Sequence, residues 1–172
     1  MKISPKNLRI VLVVIYLLLA VGAFGNLIYW GFGMLYAAGW AGSSMSIPEV
    51  AWALKGVVML LLFAMAAGIG LIRPRKIGLL FGYGLTMGVG CYVLYNSIRS
   101  IDYHLEDETS LELVYVLEQL LGLLIVILIF RFFVWALFRI DRHYFNLAKA
   151  DYTITFGLAL VLFLSWYFML HA

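Results

Sequence analysis

Residues 111–138 read LELVYVLEQLLGLLIVILIFRFFVWALF, and this stretch decides the fold. Its middle, 120–130, is apolar without a break, a run that fits only hydrocarbon or a deep core. Glu118 and Gln119 stand just before that run and Arg131 just after it. A carboxylate at the edge of such a segment costs a few kcal/mol unless it is paired or hydrated. What Glu118 meets is therefore the first functional question.

The rest of the chain has the same solvent. Of its 172 residues, 65% are hydrophobic and 12% charged, with a mean hydropathy of +1.02. Soluble domains carry about a quarter charged residues, and a soluble fold of this size has too little interior for so much apolar surface. A net charge of only +3, with cations at segment ends, gives no sign of a nucleic-acid-binding surface, and no nucleic-acid partner is expected. Cys91 is the single cysteine, so no intramolecular disulfide and no zinc pattern is available.

Taken in order, the apolar segments predict an all-α bundle of five transmembrane spans in one integral membrane domain. The spans cover about 8–30, 50–72, 77–98, 111–133 and 152–170. The first follows a basic start, and Val21-Gly22-Ala23 resembles a signal-peptide cleavage site. The apolar run continues past it to Trp30, which favours a retained span, and a four-span bundle is the alternative. Residues 31–47 lack charge and are rich in glycine and aromatics, which reads as an interfacial or re-entrant connection. Ser46-Ile47-Pro48-Glu49 is a capping box that starts the second span, and Arg73-Pro74-Arg75-Lys76 ends it.

The third span carries Gly78, Gly82, Gly84 and Gly88, two small-xxx-small pairs on different faces. Glycine lets helices approach closely in lipid. The reading is a central helix, with partner subunits or a second copy docking through these four glycines. Residues 100–110 form a hydrophilic loop, and Thr109 to Glu112 is a second capping box that opens the fourth helix. Beyond Arg131 that helix turns aromatic and basic. Residues 131–145 read as an interfacial extension anchored in lipid head groups by Arg131, Trp135, Arg139 and Arg142. Asp151 is placed to cap the fifth span.

The charge pattern orients the chain. Ten of twelve cations (Lys2, Lys6, Arg9, Arg73, Arg75, Lys76, Arg131, Arg139, Arg142, Lys149) fall on the side of the N-terminus. Short basic loops face the cytoplasm, so the N-terminus is expected inside and the C-terminus outside. Compact size and short basic loops fit a bacterial inner (plasma) membrane.

With that topology the polar residues gather in the outer third. Lys55, Glu118, Gln119, Asn26, Tyr95, Asn96 and Arg99 form the candidate binding cluster, with Lys55 expected to face Glu118. A polar cluster that only sets helix register is the competing reading. Asp102, His104 and Glu106 belong to a solvated acidic loop rather than a metal site. No catalytic motif, cofactor or metal site is evident. These observations lead to a non-enzymatic accessory or scaffold subunit of a membrane assembly. The alternative is a small-solute or proton transport component around Lys55 and Glu118.

Overall fold

In the computed structural model, residues 4–106 and 113–170 are described, with side chains over 4–99 and 120–169. The described residues form six helices and no strand: α1 Pro5–Trp40, α2 Ile47–Ala53, α3 Lys55–Ile72, α4 Lys76–Glu106, α5 Leu113–Tyr144 and α6 Lys149–Leu170. All but the short α2 are long and apolar enough to cross a membrane. Consecutive long helices run antiparallel. Tyr16 of α1 meets Phe133 of α5 with ring centroids 6.1 Å apart, and Arg9 lies over the Tyr144 ring at 5.1 Å. Parallel to α4 lies α6, in ring contact from Tyr83–Tyr152 at one end to Tyr92–Trp166 further along. The end with Arg9, the 73–75 turn and the 145–148 turn is called the basic end below.

As expected, α4 is central and packs on α3, α5 and α6. Its glycines, however, receive this chain's own helices rather than partner subunits. A Cβ on Gly82 would lie 3.1 Å from Leu137 and 3.2 Å from the Tyr16 hydroxyl. One on Gly84 would lie 2.9 Å from Leu158, and one on Gly88 would lie 3.0 Å from the Ala159 carbonyl. Gly78 abuts Gly70 across the α3–α4 turn. Docking of other chains through Gly78, Gly82, Gly84 and Gly88 is corrected accordingly: all four are buried inside the fold.

Two boundaries also differ from expectation. Residues 31–40 are not a re-entrant connection but the last turns of α1. That segment has no proline, and its glycines do not stop a helix by themselves. The stop comes at Gly42, with φ 71°, where Gly42 N–H bonds the Gly39 carbonyl and Ser43 N–H the Ala38 carbonyl. This is the Schellman pattern, which favours glycine in the left-handed region. The second span is interrupted at Leu54 (φ −98°, ψ 21°), so α3 begins at Lys55. Residues 131–144 continue α5 within the packed bundle, with Ala136, Leu137 and Ile140 fully buried.

The core is lopsided. Leu8, Leu12, Tyr16 and Ala20 form an i, i+4 stripe on α1 that packs with Ala64, Ala67 and Leu71, with Leu79 and Tyr83, and with Leu137 and Ile140. All of these lie in the half of the bundle nearer the basic end. Toward the other end α5 parts from its neighbours, and Leu120, Leu121, Leu124, Ile125, Ile127, Leu128 and Ile129 are all exposed. Between α1, α4 and α5 this leaves an apolar cleft of about 310 Å³, bordered by Leu19, Val89, Val126 and Phe130.

Candidate functional site

The site read from the sequence centres on Lys55 and Glu118, and the surroundings of Lys55 follow from how α2 and α3 begin. Ser46 precedes α2, and Glu49 reaches back to it. The Ser46 backbone N–H and hydroxyl donate to one Glu49 oxygen at 2.6 and 2.8 Å. Both bonds favour the ionised form, holding the Glu49 carboxyl below the usual carboxylate range. The interruption at Leu54 then places Lys55 in the first turn of α3, whose Leu54 cap makes no side-chain hydrogen bond. The Lys55 ammonium lies over the Trp52 ring, 4.7 Å from its centroid. A cation over an indole face is held by the ring quadrupole.

Glu49, Trp52 and Lys55 border a hollow of about 790 Å³. Met34 and Ala38 of α1, Ser43 and Ser44 of the following turn, Trp52 and Lys55, and Met169 of α6 form much of its wall. Gly56 lets Trp166 and Met169 close in beneath it, with a Cβ there 3.2 Å from the indole and 3.1 Å from the sulfur. An ammonium, a carboxylate, two hydroxyls and an indole face together suit a small anionic or zwitterionic group.

The other expected members do not all join this hollow. Asn26 is exposed in a separate cleft of about 430 Å³ between α1 and α3, bordered by Gly22, Val57, Leu60 and Trp166. Tyr95 belongs to an aromatic cluster on α6, edge-on to Phe163 and Tyr167 at 6.0 and 5.6 Å. Asn96 and Arg99 follow it on α4. The side chains of Glu118 and Gln119, and with them the expected Lys55–Glu118 pairing, lie outside the described residues. So do the side chains of Asp102, His104 and Glu106, and the Thr109–Glu112 box. Among the anchor residues, Arg139 rests on Trp135 at 5.4 Å and Arg142 on Phe138 at 4.4 Å.

A second polar group lies at the basic end, of which the sequence pointed to Asp151 as a cap but not to Asp141. Asp141 of α5 is 3% exposed and Asp151 of α6 is 7% exposed. One Asp141 oxygen accepts the Leu147 N–H at 2.9 Å and the other the Tyr152 hydroxyl at 3.0 Å. Asp151 accepts the Ala148 N–H at 2.8 Å and pairs with Lys76 at 2.7 Å. The expected capping role of Asp151 is thus present, from the third residue of α6. Asn146, at φ 52°, turns the chain between the two helices. Asp141 stands in a run of arginines and aromatics, which masked it in sequence. Its one local signal was the short Asn146-containing break before a new apolar segment. Beside this network the Tyr83 hydroxyl is buried with no hydrogen-bond partner among the described residues.

Comparison with protein-family models, with curated proteins and with solved structures finds no match to this chain.

Proposed function

We propose that this protein is a non-enzymatic accessory subunit of a larger assembly in a bacterial inner membrane. In this reading five crossings leave the two termini on opposite sides, the N-terminus in the cytoplasm and the C-terminus outside. The positive-inside bias supports that orientation. One observation carries the accessory role: α5 is packed tightly only toward the basic end. Its other half stands off from α1 and α4 and leaves an open apolar cleft, a shape that a neighbouring membrane helix can fill by close side-chain packing. A photo-crosslinking amino acid at position 124, incorporated in cells, tests this. The expected product is one discrete protein adduct, formed with a component that co-purifies at fixed stoichiometry in mild detergent. Lipid adducts alone, on a protein that purifies without companions, would end the reading.

The hollow around Lys55 favours a second reading, an outward-facing pocket of a transport component. Under it, Lys55→Met reduces flux of anionic or zwitterionic solutes into proteoliposomes at least several-fold. Equal flux for the variant and the parent protein across such a panel rules it out.

A further inference from the structure

Arg131 is placed where an arginine is expensive. The contacts between α4 and α5 fix its depth. Gly90 of α4 meets Phe130, and Gly82 meets Leu137, so Arg131 stands level with Gly88 and Val89. Lys76 and Arg99 are the cations that flank the uncharged run 77–98 of α4. At 1.5 Å per residue they lie roughly 19 Å and roughly 16 Å away along the helix axis. Arg131 is therefore close to mid-depth in a helix that matches a hydrocarbon core of about 30 Å. It is also exposed, on the outside of the bundle. A stem of three methylenes is too short to bring its guanidinium from there to either interface. Arg139 and Arg142, nearer the basic end, rest on rings. Among the described residues Arg131 makes no ion pair, hydrogen bond or ring contact.

Exposed leucines in lipid need no cover, because lipid tails are as apolar as they are. An exposed arginine at mid-depth does, and charged groups within spans are usually paired. The pairing group is not a lipid phosphate, since those lie at the interfaces. Nor is it supplied by a second copy of this chain. Along α5 the acids nearest to Arg131 are Asp141, ten residues toward the basic end, and Glu118, thirteen residues the other way. The Asp141 oxygens are taken by Leu147 and Tyr152. Two copies side by side keep every residue at its own depth, and inverting one leaves mid-depth residues at mid-depth. In neither arrangement does an acid of the described helices come level with Arg131.

We infer that Arg131 is the docking point for a transmembrane helix of a different protein, one that carries an aspartate or glutamate near its midpoint. This rests on the accessory-subunit reading and names the chemistry of the partner. Around Arg131 the exposed residues Leu124, Leu128, Trp135 and Phe138 follow a four-three spacing on the same face, the seam along which two helices cross at a shallow angle. A single charged residue in such a seam sets register and partner choice.

The test uses the whole purified protein in phosphatidylcholine vesicles and three synthetic polyleucine helices of about 20 residues. One carries aspartate at its centre, one carries it two turns from the centre, and one carries none. Association is read by energy transfer. The central-aspartate helix is expected to bind about tenfold more tightly than either other helix, an advantage that Arg131→Leu removes and Arg131→Lys partly keeps. Arg131 is exposed and ties no other helix by an ion pair, hydrogen bond or ring contact among the described residues, so Arg131→Leu is expected to retain the parent helical content and tryptophan emission. Equal binding of the three helices, or binding of the central-aspartate helix undiminished by Arg131→Leu, overturns the inference. So does Arg131-dependent self-association that the peptide does not compete away. If a stoichiometric partner crosslinks at position 124 while these results fail, the accessory reading stands and the arginine inference falls.

Discussion

Gly78→Val is expected to cost the fold about 3 kcal/mol or more and to give a protein that aggregates on solubilisation. Across the 73–75 turn, α3 and α4 touch backbone to backbone. A Cβ on Gly70 would lie 2.5 Å from the Gly78 Cα and 2.7 Å from its nitrogen. One on Gly78 would lie 2.7 Å from the Gly70 Cα and 2.7 Å from the Leu71 nitrogen. Those neighbours are backbone atoms, so no rotamer change relieves the overlap and the helices must separate. The turn is tied on the same atoms, since Arg75 N–H bonds the Gly70 carbonyl and Gly78 N–H the Arg75 carbonyl. Separation also opens the packing of Leu71 and Leu79, both fully buried, and a void beside such leucines adds further loss. Because α4 lies against α3, α5 and α6, displacing its first turn disturbs three interfaces. Gly157→Ala is the control. A Cβ there meets nothing within 4 Å, so the gain in helix propensity, about 0.5–1 kcal/mol, is left unopposed. Thermal unfolding in one detergent should rank Gly157→Ala at or above the parent protein and Gly78→Val far below it. Similar midpoints for the two variants would show that the α3–α4 contact is looser than described.

Asp141→Ala is expected to destabilise the basic end by about 3 kcal/mol, because two donors lose a charged acceptor worth about 1.5–3 kcal/mol each. The Leu147 N–H belongs to the turn and the Tyr152 hydroxyl to α6, so one carboxylate ties the end of α5 to the start of the next helix. At 3% exposure, water cannot readily replace it. Asp141→Asn keeps one carbonyl oxygen and turns an NH₂ toward the other donor. It should recover about half of the loss. Lys76→Met, by contrast, should change stability by no more than about 1 kcal/mol, since the Lys76 side chain is 53% exposed in its pair with Asp151. Hydrogen exchange of the 147–152 amides, compared among the three variants, separates the two acids. Asp141→Ala should raise exchange across the turn, and Lys76→Met should leave it near the parent level. The reverse order would transfer the anchoring role to Asp151.

Some of this was legible in the residues themselves. Runs such as 120–130 are apolar without interruption, and such runs form helices in hydrocarbon because no other local structure satisfies the backbone there. The Ser46–Glu49 box was readable because both partners lie within one turn. The central place of α4 was readable from glycines on two faces. The stop of α1 was not, since Gly31, Gly33, Gly39 and Gly42 look alike in sequence. Only Gly42 adopts the left-handed conformation that ends a helix.

The 111–138 stretch divides in the same way. That 113–138 is helix, and that Arg131 interrupts its apolar character, follows from local composition. Sequence placed Arg131 at the end of a span, by counting apolar residues from one side. Tertiary structure sets it level with Gly88 and Val89, near the middle of the uncharged part of α4, because Leu137 and Phe130 dock on Gly82 and Gly90 and thereby set the register of α5 against α4. Register between helices is decided by side chains distant in sequence, through steric fit. Periodicity within one helix carries no information about it. For the same reason Asp141, an ordinary acid in a basic run, becomes a buried tie between two helices only once the 145–148 turn folds back and brings Tyr152 to it.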